Sequence, residues 1–193
     1  MENLKILELF CGLGGWSKGF HDIFPDAEFY GIDIKDYGYP YNFIKADLND
    51  WEPDQEYDIV LASPPCTEFS IAKKWGWGTQ DERIGLDLIW RAFYLIEKIK
   101  PKFWIIENVK GLADFLPEPD EIVAYNRHKN GKAAYLWSNI GKLGFLENTI
   151  SFRRESSSRG KTTTGKNSLS SAEMGLIPLP LAHEVARKIY AQL

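Results

Sequence analysis

A chain of 193 residues with 44% hydrophobic and 26% charged positions has the composition of an ordinary globular protein of one domain. On folding it can bury about 70% of its unfolded surface, so neither metal nor disulfide is needed to stabilise a core. Two cysteines, Cys11 and Cys66, exclude a disulfide framework, and a net charge of −4 excludes binding of nucleic acid by overall charge, since phosphate contacts need local Lys and Arg.

No apolar N-terminal stretch suits a signal peptide and no run of about 18 apolar residues suits a membrane span, so the expected location is the cytoplasm. In chain order, short apolar runs predict strands at 5–9, 28–32, 42–45, 57–62 and 103–106, and a sixth at 134–138. Between the fourth and fifth, residues 82–98 carry a wide apolar stripe at helical spacing, closed by Lys98, Lys100 and Pro101. A further helix-like stretch runs to Phe20, and 180–193, with Leu181, Val185, Ile189 and Leu193 four apart, predicts a closing helix. Strands alternating with amphipathic segments specify an α/β fold, a doubly wound, mostly parallel sheet in one domain over 1–193. The Arg, Ser, Thr, Lys and Gly composition of 152–171 predicts a loop or arm. Within it, 153–166 hold five cations against Glu155, a local +4 on a body that sums to −8.

Three segments carry the chemistry. Phe10-Cys11-Gly12-Leu13-Gly14-Gly15 follows the first strand, where a glycine-rich turn lets a ligand approach the backbone, although a plain tight turn would use the same glycines. Asp33, at the end of the second strand, can accept both hydroxyls of a ribose, and Asp47, at the end of the third, lies within reach of an adenine amine. Ser63-Pro64-Pro65-Cys66 stiffens a turn that presents a thiol, read either as a nucleophile or as a buried small residue. Glu107-Asn108-Val109 follows the fifth strand and lies beside that turn if the fourth and fifth strands are neighbours.

In combination these segments resemble the C5-cytosine DNA methyltransferases, over roughly 5–109 and again 175–189. The resemblance implies the class I methyltransferase fold, with S-adenosylmethionine as cofactor held by Phe10, Cys11, Gly12, Leu13, Gly14, Gly15, Asp33, Ile34, Asp47, Leu48 and Pro64. Gly175-Leu176-Ile177-Pro178 is similar to the family's last motif, so 172–193 is expected to complete the cofactor pocket. Cys66 would be the nucleophile adding to C6 of cytosine, with Glu107 on N3 and the exocyclic amine. The partner implied is duplex DNA with the target cytosine flipped out, contacted by Pro65, Ser70, Lys73, Lys74 and Asn108. Residues 69–79 are read either as a cover over that base or as a surface loop. No metal is expected, because His21, His128 and His183 share no ligand spacing with the cysteines.

The departures are specific. Thr67 follows the nucleophile where the family has Gln, and its Q-x-R-x-R motif is absent, leaving Lys132 or Arg127 as the cation for the cytosine O2. Only 35 residues separate Asn139 from Gly175, too few for the family's target-recognition domain. The basic arm in that interval, with Arg153, Arg154 and Arg159, is read as touching DNA phosphates or as a solvated linker. A homodimer or a separate specificity subunit would offer another source of recognition. Two other readings fit the same residues: cytosine methylation of RNA, and a non-catalytic cofactor- or DNA-binding homologue.

Overall fold

A computed structural model describes residues 4–69, 81–125, 132–142 and 176–193, with side chains omitted at 124, 125 and 132. Its elements are β1 (Lys5–Leu9), α1 (Gly15–His21), β2 (Glu28–Asp33), β3 (Asn42–Lys45), β4 (Ile59–Ala62), α2 (Glu82–Ile99), β5 (Phe103–Asn108), a 3-10 helix (Lys110–Asp114), β6 (Glu121–Tyr125), β7 (Lys132–Ser138) and α3 (Leu179–Tyr190). The strands form one sheet in the order β3-β2-β1-β4-β5-β7-β6. β1 to β5 are mutually parallel, and β7 runs antiparallel to both β5 and β6.

Period-2 alternation along fully buried strands supplies two cores. Ile6, Ile59, Leu61 and Ile105 belong to one core with Trp16 and Phe20 of α1 and Leu181, Val185 and Ile189 of α3. Leu7, Leu9, Val60, Ala62 and Ile106 belong to the other, with Ala92, Leu95 and Ile96 of α2. Helices therefore cover both faces, as a doubly wound sheet requires. α1 and α3 approach closely at Gly19, where a Cβ would stand 2.4 Å from that of Ala182. α2 is capped by Asp81, whose side chain accepts from the Arg83 amide, and ends at Lys100 in the left-handed region.

Three expectations need correction. The sixth strand, β6, is an edge strand with Ile122 half exposed, so it shows no buried apolar run. The segment expected over 134–138 is the seventh strand and begins at Lys132. β5 extends through Glu107 and Asn108, because both residues pair with β7, which places them inside the sheet rather than after it.

Candidate active site

In the order β3-β2-β1-β4-β5, the chain leaves β1 in one direction and returns at β4 in the other, so the crevice of this sheet lies beyond the carboxyl ends of β1 and β4. The glycine turn leaves β1 there and the Pro-Pro-Cys turn leaves β4 there. The Ser63 amide donates to the Leu9 carbonyl at 3.5 Å, and Trp16 Nε1 donates to Ser63 Oγ at 2.9 Å.

Phe10 has φ 57°, a left-handed conformation that costs a bulky residue of order 1–3 kcal/mol. Such a conformation persists only where surrounding structure imposes it. Gly12 and Gly14 are also left-handed, and a Cβ on Gly12 would meet no described atom within 4 Å, so this side of the turn is open to a ligand. On its other side the turn is closed. A Cβ on Gly14 would stand 3.0 Å from Pro40 and 3.1 Å from the Tyr39 ring, and one on Gly15 2.7 Å from the Ile177 amide nitrogen. The returning segment before α3 thus seats directly on the first residue of α1.

Asp33 holds the turn from β2, its Oδ2 accepting from the Gly12 amide at 3.0 Å and its Oδ1 from the Lys35 amide at 3.2 Å. Ile34, the next residue, is 64% exposed. Asp47 lies two residues beyond β3, its Oδ1 accepting from the Asn49 amide at 2.9 Å. Leu48 is packed into the core. Cys11 is buried, and burial, reinforced by the nearby carboxylate of Glu8, pushes its thiol well above the usual range. Cys66 is only half buried. The two thiols therefore differ in kind: Cys11 is a small core residue of the turn, and Cys66 is the accessible one.

The Cys66 turn is held from below. Asn108 is fully buried, with Nδ2 donating to the Pro64 carbonyl at 3.0 Å and Oδ1 accepting from the Val109 amide at 2.9 Å. Its amide thus ties the end of β5 to the turn that leads into Cys66. Phe69 is buried against Gly85 and Gly111, where added Cβ atoms would stand 2.6 Å from its ring and 2.2 Å from its carbonyl oxygen. Glu68 accepts from the Asp81 amide at 2.9 Å. Pro65 is exposed. Glu107 pairs with Leu136 of β7 one residue beyond Ile106, the partner of Ala62. Ser70, Lys73, Lys74, Arg127, Arg153, Arg154, Arg159 and the 152–171 arm lie outside the described residues, and Lys132 is described as the first backbone position of β7 only.

Sequence reasoning missed a buried network behind the turn. Glu8 Oε2 accepts from the Ser17 amide at 3.0 Å and the Ser17 hydroxyl at 2.5 Å, and Ser17 Oγ meets the Tyr39 hydroxyl at 2.6 Å. The available signal was an acid at an inward position of an otherwise apolar strand. Among the described residues no group of three or more His, Cys, Asp or Glu is arranged to hold a metal ion, and no helix is long and apolar enough to cross a membrane.

Residues 4–119 match the family model of the C-5 cytosine-specific DNA methylase. The chain is 37% identical over 170 residues to the type II methyltransferase M.HaeII of Haemophilus aegyptius, covering 79% of this chain and 47% of that enzyme. It is 29% identical over 172 residues to a probable DNA (cytosine-5)-methyltransferase of Frog virus 3, covering 76% and 74% respectively. Among solved structures, a putative DNA modification methyltransferase from an E. coli prophage is similar with a TM-score of 0.49 and 18% identity, over 70% of this chain and 46% of the other. The matched region thus spans about half of the Haemophilus enzyme. With well over half of its length on the family model, the chain belongs to the C-5 cytosine-specific DNA methylases.

Proposed function

We propose that this chain transfers a methyl group from S-adenosylmethionine to C5 of cytosine in DNA, through a covalent adduct between Cys66 and C6 of a flipped-out base. The observation that carries the reading is the junction at the β1–β4 switch point, where Trp16 and Ser63 tie the cofactor turn to the turn of Cys66. The cofactor fits the residues present: the open side of Gly12 admits its backbone-proximal part, Asp33 suits its ribose and Ile34 its adenine. What the bound cofactor supplies is a methyl group on a positively charged sulfur.

C5 of cytosine is a poor nucleophile. Addition of the Cys66 thiolate to C6 turns the ring into an enamine, and Glu107, hydrogen-bonded at N3 and the exocyclic amine, stabilises the charge that develops there. Held by the Gly12 turn, Asp33 and Ile34, the cofactor would supply its methyl group to the C5 so activated, its sulfur keeping the electron pair of the broken bond. A base removes the C5 proton, and the electrons of that bond expel Cys66 as thiolate. Lys132 or Arg127 supplies the cation to the cytosine O2, and the arm carrying Arg153, Arg154 and Arg159 contacts phosphates in place of a larger recognition domain.

The test is transfer of labelled methyl to mixed-sequence duplex DNA, with trapping on DNA containing 5-fluorocytosine. The wild type should form the trapped adduct, and Cys66→Ser should lose turnover and adduct while still binding S-adenosylhomocysteine. Absence of both transfer and adduct in the wild type would overturn the reading. Competition between transfer RNA and duplex DNA separates the RNA substrate from the DNA one.

A further inference from the structure

Arg91 projects from α2, and its guanidinium is spent on the segment that carries Asp47. Its side chain is 15% exposed. Nε donates to the Leu48 carbonyl at 2.6 Å, and one terminal nitrogen donates to the Trp51 carbonyl at 2.5 Å and to Glu52 Oε1 at 2.9 Å. Those carbonyls belong to a tight turn that begins at Asp47, whose own carbonyl accepts from the amides of Asp50 at 3.1 Å and Trp51 at 2.9 Å. The turn is therefore closed at its start by the Asp47 carboxylate on the Asn49 amide and at its end by Arg91.

The clamp is itself braced. Tyr94, one turn along α2, lies with its ring 4.7 Å from the guanidinium carbon, and Lys98 pairs with the second oxygen of Glu52 at 2.5 Å. A guanidinium offers these donors in one rigid planar fork, whereas a lysine ammonium in its place is a flexible point donor.

We propose that Arg91 is a positioning residue for the adenine of the cofactor: by locking the 47–51 turn to α2, it holds Asp47 where a carboxylate oxygen not used on Asn49 can accept from the exocyclic amine. This inference rests on the assignment of Asp47 to that amine.

The experiment is calorimetric titration of S-adenosylhomocysteine and of its inosine counterpart, in which the adenine amine is replaced by oxygen, into the full chain and its variants. The wild type should prefer the adenosyl compound by about tenfold or more, the scale of a hydrogen bond to a charged group. Arg91→Met should lose about tenfold on the adenosyl compound alone, collapsing the preference, and Arg91→Lys should show an intermediate loss on the same compound. If the methionine variant does not fold, the lysine variant carries the comparison. An equal loss on both compounds would mean a merely structural role and would overturn the proposal, as would unchanged adenosyl affinity. A wild type with no preference refutes the Asp47 assignment itself, and Asp47→Ala with an intact preference does the same.

Discussion

Replacing Glu8 by glutamine should abolish a pH dependence of stability that this one carboxyl imposes. Glu8 is 3% exposed, inside β1, and burial raises its pKa from 4.5 to about 7, even though the Ser17 hydroxyl, two backbone amides and Lys18 all favour the charged form. Around it stand Ser17 and Trp16 of α1, Tyr39 of the β2–β3 loop and Cys11 of the glycine turn, none of them positively charged, and the attraction of Lys18 is the smallest of the effects on it. Between 4.5 and about 7 the folded chain keeps a proton that the unfolded chain has released. Stability is therefore highest below the unfolded value and falls as pH rises through the folded one. At about 1.4 kcal/mol per unit, the loss amounts to roughly 3 kcal/mol, a large share of the roughly 5–15 kcal/mol by which such domains are stable.

Glutamine keeps the shape and the acceptor oxygen without the charge. Urea unfolding of both proteins across this range should give stabilities that agree near the acid end and diverge with rising pH, until the glutamine variant is the more stable by roughly 3 kcal/mol. A constant difference between the two proteins across the whole range would refute the argument, because a buried neutral acid must release its proton somewhere within it.

Other perturbations separate support from chemistry. Asn108→Ala leaves the Pro64 carbonyl without its partner and should cost about 1–3 kcal/mol in thermal or chemical unfolding, with turnover reduced more than cofactor affinity, since Pro64 leads into Cys66. Gly111→Ala would set a Cβ 2.2 Å from the Phe69 carbonyl oxygen, three residues past Cys66, and should lower kcat by tenfold or more, up to about a hundredfold, with the KM for cofactor unchanged. Substituting Arg153, Arg154 and Arg159 by serine should weaken DNA binding and reduce the slope of log affinity against log salt by about 0.9 for each phosphate that is no longer neutralised. An unchanged slope would assign the arm to solvent.

Much of the fold was legible because a parallel sheet buried on both faces demands short strands with apolar runs, and β1 and β3 occupy the predicted residues. The edge strand β6 was not legible. It follows Pro117 and Pro119, exposes Ile122, and takes its place only through pairing with β7. Nor does a local pattern carry strand direction, so the reversal of β7 against β5 leaves no mark on its residues.

For the site, the chain's own order of residues determined where the candidate groups stand: a glycine turn after one strand, a stiffened Cys66 after another, acids at strand ends. Local backbone requirements and side-chain chemistry are written in short stretches of sequence, and can be read there. Tertiary structure decided how those groups are held. The switch point between β1 and β4 brings two turns some fifty residues apart into contact, Asn108 closes on Pro64 across 44 residues, and Arg91 reaches Leu48 across 43. Such pairings depend on which strands become neighbours and which helix packs over them. That is a property of the whole buried core, and no single segment contains it.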